Sequence, residues 1–222
     1  SPNAATANST PTTAANPGMA SIQLNIEDPA DIRKAAAQLA ASHPTLNVVI
    51  HNAGIMRPEN LLTQTDLTDA EATITTNLLG PIRLTAALLP QLQRQPHATI
   101  MTVSSGLAFI PMAITPTYCA TKAAIHSYSE SLRYQLKSTN VEVIELAPPY
   151  VQTELMGSAQ AADPRAMPLK EFLAEVINII QTQPNATEIL VERVKPLRCV
   201  AANGHEKYEG FFQTFNNAMN QP

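Results

Sequence analysis

The stretch LNVVIHNAG, residues 46–54, joins a short apolar run to a polar end that contains a glycine. An unbroken apolar run of this length is typical of a strand that is buried on both faces of a parallel sheet. Residues that directly follow such a strand lie at its carboxyl end, where ligands bind in open α/β sheets. The stretch therefore predicts a parallel α/β fold with a site at one edge of the sheet.

Predicted strands and helices alternate along the rest of the chain. A helix is predicted from Pro29, because Asp28 can cap it and ADIRKAAAQLAAS has apolar residues at helical spacing. The amphipathic segment from about 68 to 95 also predicts a helix, which Pro81 and Pro90 should kink or end. The other predicted strands are 19–26, 98–105, 141–149 and 188–194, and the other predicted helices are 115–137, 168–182 and 205–219. This order predicts a three-layer, doubly wound and mostly parallel sheet.

Composition excludes several classes of function. The net charge of -4, with only 14 Lys and Arg, leaves no basic stripe for nucleic acid. The two cysteines, Cys119 and Cys199, cannot form a disulfide framework, and no Cys/His cluster has zinc-ligand spacing. We therefore expect no metal and a cytoplasmic location. No apolar run approaches the roughly 18 residues that span a bilayer, so no membrane partner is expected.

The chain divides into a tail and one domain. Residues 1–17 contain no large apolar residue and no charge, which predicts a disordered or low-complexity tail. Residues 18–222 are long enough for a single domain with a sizeable core.

Tyr118 and Lys122 stand four residues apart in the predicted helix 115–137, and such positions share one helix face. A phenol has a pKa of about 10, and an adjacent ammonium is expected to lower that pKa by favouring the phenolate. Ser105 ends a predicted strand, where its hydroxyl can bond the same substrate oxygen. Asn77 lies in a predicted helix, and its amide is costly to bury without partners. The four side chains are predicted to converge and to move a proton to or from a substrate oxygen.

Several motifs in this order resemble the short-chain dehydrogenase/reductase family. The motifs are Asn77 to Gly80, Ser105, Tyr118 and Lys122, with HNAG at 51–54 and PPYVQT at 148–153. The similarity runs from about Asn16 to the C-terminus, and HNAGIMRPENLL with ELAPPYVQTEL looks most like the DltE-like branch of the family. The resemblance implies a Rossmann-like fold and an oxidoreductase that uses NADP or NAD on a small carbonyl or alcohol substrate.

The resemblance also implies a role for each motif residue. Tyr118 would be the general acid/base, and Lys122 would lower its pKa and hold the nicotinamide ribose. Ser105 would orient the substrate carbonyl or hydroxyl, while Asn77 would position a water that relays protons to Lys122. The cofactor contacts implied by position are Asn25, Asn52, Ala53, Gly54, Tyr118, Lys122, Pro148 and Thr153. A homo-oligomer, either a dimer or a tetramer, would form through helices 68–95 and 115–137.

The sequence departs from the family at its beginning. Family members open with a strand, a glycine-rich turn and a helix whose N-terminus receives the pyrophosphate. Before Met19 this chain has only one glycine, Gly18, so the dinucleotide-binding half is expected to be N-terminally truncated. Loss of the central strands would expose an apolar edge on residues 46–50. Either strand 19–26 pairs with that edge directly, or a partner subunit or separate fragment fills the gap.

The sequence supports two alternatives to the oxidoreductase to different degrees. The missing phosphate loop leaves open a non-catalytic fragment or pseudoenzyme with impaired cofactor binding. Hydrolysis with Ser105 as nucleophile is disfavoured, because the sequence has no GxSxG elbow and no histidine at a recognisable triad position. The histidines expected on the surface or as caps are His43, His97, His126 and His205. The residues expected to line a substrate lid or to pack in the core are Met156, Met167, Phe172 and Ile177.

Overall fold

Four parallel strands form one sheet at the centre of the described chain. The structure is a computed structural model that describes residues 16–63 and 65–219, so the predicted tail lies outside it up to residue 15. The strands lie side by side in chain order, with β1 at Val48–His51, β2 at Ala98–Val103, β3 at Val141–Leu146 and β4 at Glu188–Ile189.

Helices connect these strands, largely where apolar periodicity predicted them. Their bounds are α1 Pro29–Ser42, α2 Thr68–Ile74, α3 Gly80–Leu92, α4 Pro116–Leu136, α5 Ser158–Ala162, α6 Leu169–Thr182, α7 Lys195–Cys199 and α8 His205–Met219. A π-helix at Thr75–Leu79 joins α2 to α3, and 3₁₀ turns lie at Gly106–Ala108, Glu192–Val194 and Val200–Asn203. None of the helices in the described part of the chain is long and apolar enough to cross a membrane.

Helices cover both faces of the sheet, because successive strand residues point to opposite sides. On one face, Ile100 of β2 packs with Leu92 of α3 and Leu132 of α4. On the other face, Met101 packs with Phe172 of α6. Each apolar side chain of this size stabilises the fold by about 1.5–3 kcal/mol when it is fully buried. The predicted three-layer, doubly wound fold is confirmed.

β1 is an edge strand of the described sheet, and its apolar side chains are exposed. Val48 is 46% exposed and Ile50 is 55% exposed. The predicted strand 19–26 is wrong, since residues 19–25 have no regular secondary structure and 26–27 form a turn. Of the two alternatives for covering this edge, direct pairing of residues 19–26 with β1 is therefore wrong, whereas the expected apolar edge is confirmed.

The segment before α1 contacts the π-helix region instead of the sheet. Ile26 packs against Gly80, and the carboxylate of Glu27 accepts a hydrogen bond from the Thr76 hydroxyl at 2.8 Å. Asp28 caps α1 as predicted, because its carboxylate accepts from the Ala30 N–H at 2.8 Å. These contacts give the segment polar and apolar partners without a strand.

The last predicted strand is also shorter than expected. Pairing with β3 ends at Ile189, and the Val194 N–H bonds the Val191 carbonyl at 3.0 Å to form a 3₁₀ turn. Pro196 then occupies the first turn of α7, where its missing N–H is not needed. The apolar run was read as strand because periodicity alone cannot separate short strands from turns of buried residues.

Gly80 allows the close approach of the Ile26 segment. A β-carbon at this position would lie 2.6 Å from Cγ1 of Ile26 and 3.0 Å from the Ile26 carbonyl oxygen. Both distances are below ordinary carbon contacts, so any larger residue must displace side chain and backbone together.

Substitution of Gly80→Ala is expected to lower the free energy of unfolding by about 1–3 kcal/mol through overpacking. Gly210→Ala in α8 is the matched control, because a β-carbon there meets nothing within 4 Å. The control should raise the free energy of unfolding by up to about 1 kcal/mol through helix propensity. Urea unfolding of both variants measures the difference, and equal stabilisation would contradict the packing argument.

Candidate active site

The π-helix between α2 and α3 determines where Asn77 lies. The N–H of Gly80 donates to the Thr75 carbonyl, five residues back, instead of the four of an α-helix. Pro81 has no N–H to offer the carbonyl of Asn77, which favours this local widening. Sequence analysis predicted a kink or end at the prolines, but Pro90 lies inside α3 and the irregularity falls just before Pro81.

The side-chain amide of Asn77 is buried and fully hydrogen-bonded. Its Oδ1 accepts from the N–H of Ile55 at 2.8 Å, and its Nδ2 donates to the carbonyl of Ile55 at 2.8 Å and to Thr121 Oγ1 at 3.2 Å. The amide thus joins the loop after β1 to α4. Gly54 lies beside it, since a β-carbon there would be 3.4 Å from Asn77 Oδ1 and 3.8 Å from Lys122 Nζ.

The ammonium of Lys122 is buried at the carboxyl end of β2. Lys122 is only 6% exposed, and its Nζ donates to the carbonyl of Val103, the last residue of β2, at 2.7 Å. No carboxylate in the described part of the chain forms an ion pair with this ammonium. Burial therefore lowers the pKa of Lys122 from 10.5 to about 8.

Tyr118 lies next to this cation, yet its pKa is raised. Its ring centroid is 5.5 Å from Lys122 Nζ, and the residue is 5% exposed. Burial raises the pKa of Tyr118 to about 12, a hydrogen bond with Ser105 lowers it, and the charge of Cys119 raises it. The lower pKa expected for Tyr118 beside Lys122 is not seen in this structure, because burial of the phenol is the dominant effect.

Ser105 links the two sides of the site. It follows β2, and its Oγ accepts the N–H of Leu107 at 3.1 Å, which caps the 3₁₀ turn that begins at Gly106. The same hydroxyl is close enough to the Tyr118 phenol to lower its pKa. A substrate oxygen placed between these two hydroxyls would have a partner on each side.

A cavity of about 390 Å³ opens beside Tyr118 and Ser105. This volume lies at the lower end of the ~300–1,000 Å³ that small-molecule sites occupy. Pro148, after β3, also lines the cavity. Most of the remaining wall is apolar and includes Met56, Leu107, Met112, Met156, Phe215 and Met219.

The predicted site residues fall into two groups. Asn77, Ser105, Tyr118 and Lys122 come together as predicted, with Gly54 beside them and Pro148 on the cavity wall. The other predicted cofactor contacts lie outside this group. The Oδ1 of Asn25 accepts the Glu27 N–H at 3.0 Å, and the hydroxyl of Thr153 accepts from Gln160 at 3.1 Å. Asn52 and Ala53 are exposed. Their contacts with a dinucleotide stay predictions.

The four candidate lid residues also separate. Met156 lines the cavity, whereas Met167 and Phe172 belong to the core on the α6 face of the sheet. Ile177 is an exposed residue of α6. Phe172 and Ile177 differ because they lie on opposite faces of the amphipathic helix α6.

Sequence analysis missed the part that α8 has in the cavity. The buried Asn216 accepts the N–H of Ala113 at 2.6 Å and donates to the carbonyl of Pro111 at 3.1 Å. These bonds fix α8 against the loop before α4, and Phe215 and Met219 consequently line the cavity. No sequence signal joins positions separated by 103 and 105 residues.

A second charged cluster lies further along α4, one turn after Lys122, and here the surface prediction for His126 is wrong. His126 Nδ1 lies 2.8 Å from a carboxylate oxygen of Glu145, which is completely buried in β3. Glu188 joins the group. One ring nitrogen of His126 and one carboxylate oxygen of each glutamate all lie within 4.8 Å of one another. The guanidinium of Arg198 already pairs with Glu188 at 3.0 Å. The cluster fixes α4, with Tyr118 on it, against β3.

Comparison with known proteins agrees with the site geometry. Residues 2–164 match a family model described as short chain dehydrogenase. An uncharacterized oxidoreductase, DltE, of Bacillus subtilis (strain 168) is 38% identical over 183 residues, which cover 80% of this chain and 70% of that protein. The 3-oxoacyl-[acyl-carrier-protein] reductase FabG of Escherichia coli (strain K12) is 30% identical over 169 residues, covering 76% of this chain and 68% of that protein.

A solved structure gives the same result. The closed form of serine dehydrogenase complexed with NADP+ superposes with a TM-score of 0.65 and 25% identity over 75% of this chain and 73% of that chain. The family match covers most of the sequence, and the four-residue constellation lies at the expected edge of the expected sheet. The chain therefore belongs to the short-chain dehydrogenase family of oxidoreductases.

Proposed function

We propose that the chain reduces a small carbonyl substrate with NADPH or NADH, and that Tyr118 supplies the proton. The main support for this proposal is that Tyr118 and Ser105 both line one cavity, with the Lys122 ammonium buried next to the phenol. A phenol with a pKa of about 12 is protonated at neutral pH, so the free site holds a proton that can be donated to a carbonyl oxygen.

The residues have distinct roles in the proposed reaction. Ser105 donates a hydrogen bond that orients the substrate carbonyl, and Tyr118 donates the proton that the developing alkoxide requires. Lys122 stabilises the phenolate that remains, because its positive charge acts across a buried, weakly screened gap. The bound nicotinamide supplies the hydride. Asn77 holds the loop and α4 in register, since its amide is already committed to Ile55 and Thr121.

The residues around Lys122 fit the nicotinamide end of a dinucleotide. An ammonium has three donors, and within the part of the chain that the structure describes Lys122 uses one of them, to the carbonyl of Val103. Gly54 leaves open the space that a β-carbon would fill beside Asn77 and Lys122. A ribose hydroxyl there would accept from the remaining Lys122 donors. The NADP+ in the serine dehydrogenase structure supports a nicotinamide cofactor, and the name of the FabG relative supports a reduction.

A non-catalytic dehydrogenase-like protein with impaired cofactor binding is the second candidate. It is favoured by the exposed β1 edge and by the described residues, where no glycine-rich turn leads into a helix at the sheet edge. The two candidates differ in whether the Tyr118 hydroxyl is needed for any activity.

Substitution of Tyr118→Phe tests the proposal. It should lower kcat/KM for carbonyl reduction by about 10²–10⁴-fold, the usual contribution of a general acid, and change NADPH affinity little. Loss of NADPH absorbance against a panel of ketones and aldehydes measures the rate. Tyr128→Phe, in the same helix but outside the cavity, is the matched control and should retain activity. Absence of turnover in the natural chain would favour the non-catalytic candidate, and unchanged turnover in Tyr118→Phe would contradict the proposed role of Tyr118.

The Lys122 ammonium makes folding stability depend on pH. Its folded-state pKa of about 8 lies below the ordinary 10.5, so between these values the unfolded chain binds more protons than the folded chain. The free energy of unfolding therefore rises with pH across this window. The shift corresponds to about 3 kcal/mol at ~1.4 kcal/mol per pKa unit.

Lys122→Met should be more stable than the natural chain near neutral pH, although it loses the proposed activity. The stability difference should shrink by about 3 kcal/mol as pH rises from about 8 towards 10.5, the range set by the Lys122 shift. Urea unfolding across this range measures it. Lys34→Met, at an exposed position of α1, is the control and should show a flat difference. A difference that is independent of pH for Lys122→Met would contradict the buried-cation account.

Self-association through α2, α3 and α4 also stays a proposal. Tyr134 on α4 is 70% exposed, and Ile74 at the end of α2 is exposed as well. Large apolar side chains on these helices favour contact with a second copy. Light scattering of the purified chain should give the mass of a dimer or tetramer, and a clean monomer would contradict the proposal.

A further inference from the structure

Arg193 is a cation without a partner on the wall of the cavity. Its side chain lines the cavity but forms no ion pair or hydrogen bond with any described side chain. Arg165 also lines the cavity, yet its guanidinium is bound to Asp163 through Nε at 3.1 Å and NH2 at 2.9 Å. Of the two arginines, Arg193 is therefore the one with donors available for a ligand.

Packing at Gly106 places the Arg193 segment close to the reacting groups. The neighbouring Val194 is completely buried, and a β-carbon at Gly106 would lie 2.9 Å from Val194 Cγ2 and 3.0 Å from Leu197 Cδ2. Gly106 directly follows Ser105. The 3₁₀ turn that carries Arg193 is thus held against the residue next to Ser105, and both residues face one cavity.

The charge inside the cavity is opposite to that of the whole chain. Among the described lining residues there is no aspartate or glutamate, and since Arg165 is paired with Asp163, Arg193 supplies the unpaired charge, whereas the formal net charge of the protein is -4. A positive, partly enclosed pocket in an acidic protein concentrates small anions and excludes cations.

The rest of the cavity wall favours an apolar ligand body. Met56, Met112, Met156 and Met219 all line it, together with Phe215. Unbranched thioether side chains adapt to ligands of varied shape, and polar groups buried against them would lose hydrogen bonds to water. The ligand should therefore have an apolar chain with polar groups only at defined points.

We propose that the substrate is an apolar oxo acid, whose carbonyl lies between Ser105 and Tyr118 and whose carboxylate binds the guanidinium of Arg193. This assignment rests on the proposed reduction. The planar guanidinium can bond a carboxylate through two parallel N–H donors, which makes Arg193 the residue that determines specificity. Charge-assisted bonds of this kind are worth about tenfold or more in affinity, and partial exposure of Arg193 favours the lower end.

Binding of octanoate and octanamide to the full chain tests the inference without cofactor or turnover. The two probes share the apolar chain and differ only in charge. Calorimetric titration at low salt should show octanoate binding about tenfold more tightly than octanamide. Arg193→Met should remove this preference. Lys195→Met is the matched control, because it removes a positive charge two residues away at a position outside the cavity, and it should keep the preference.

Turnover gives an independent readout. With an oxo derivative of octanoate, Arg193→Met should raise KM about tenfold and change kcat less than about twofold, because the carboxylate contact is the same in the ground and transition states. Selective octanoate binding that Arg193→Met removes supports the carboxylate contact even where no turnover is detected.

Three outcomes of the probe titrations would overturn the inference. They are equal binding of the two probes, absence of binding by either, and a preference that survives in Arg193→Met. Weaker NADPH binding by Arg193→Met, with octanoate binding intact, would also overturn it, since the cation would then serve the cofactor phosphates. Reduction of neutral ketones without any carboxylate preference would reject the oxo acid while leaving the proposed function in place.

Discussion

The buried ammonium of Lys122 is the constraint on which the site depends. A cation with a single carbonyl partner and little exposure is costly to hold in a protein interior. That cost is consistent with a functional position, because strongly perturbed titratable groups beside a cavity cluster at catalytic sites. The same burial keeps the neighbouring Tyr118 protonated, so the two groups form an acid and a charge that stabilises its conjugate base.

Helix α4 carries both groups, and contacts from separate parts of the chain fix it in place. Asn77 bonds Thr121 from the π-helix, and Glu145 bonds His126 from β3. At the N-terminus of α4, the carboxylate of Glu59 accepts the N–H of Thr117 at 2.9 Å, where a negative charge is favoured by the helix dipole. These contacts restrain the first turns of α4, so the Tyr118 hydroxyl has a defined position.

Much of the fold and of the site was predictable because the signals were local. Apolar runs predicted the strands of the sheet, and the Asp28 cap predicted the start of α1. The residues that follow the strands predicted the edge of the sheet at which the site lies. The failures involve interactions between distant residues. The prediction of a strand at 19–26 was wrong because this segment pairs with no strand of the described sheet, and Ile26 packs on Gly80 instead. The prediction of a lowered Tyr118 pKa was wrong because sequence spacing shows the nearby charge but not the depth of burial.

Arg193 and Asn216 illustrate the same limit. Their importance arises from a 3₁₀ turn and a C-terminal helix that meet the loop after β2 and the loop before α4 only in the folded chain. Neither residue stands in a sequence motif. Short-range patterns therefore identified the reacting groups, whereas the groups that shape the cavity became visible only in three dimensions.

The protonation state of Tyr118 tests the central claim most directly. The measurement is a pH titration by NMR of protein labelled with ¹³C at the tyrosine ζ carbons, with the Tyr118 resonance assigned by its loss in Tyr118→Phe. The account predicts that this resonance keeps the shift of a neutral phenol at every pH up to the onset of alkaline unfolding. A titration midpoint near neutral pH would contradict it, because the Lys122 charge would then outweigh burial and leave Tyr118 a base instead of an acid.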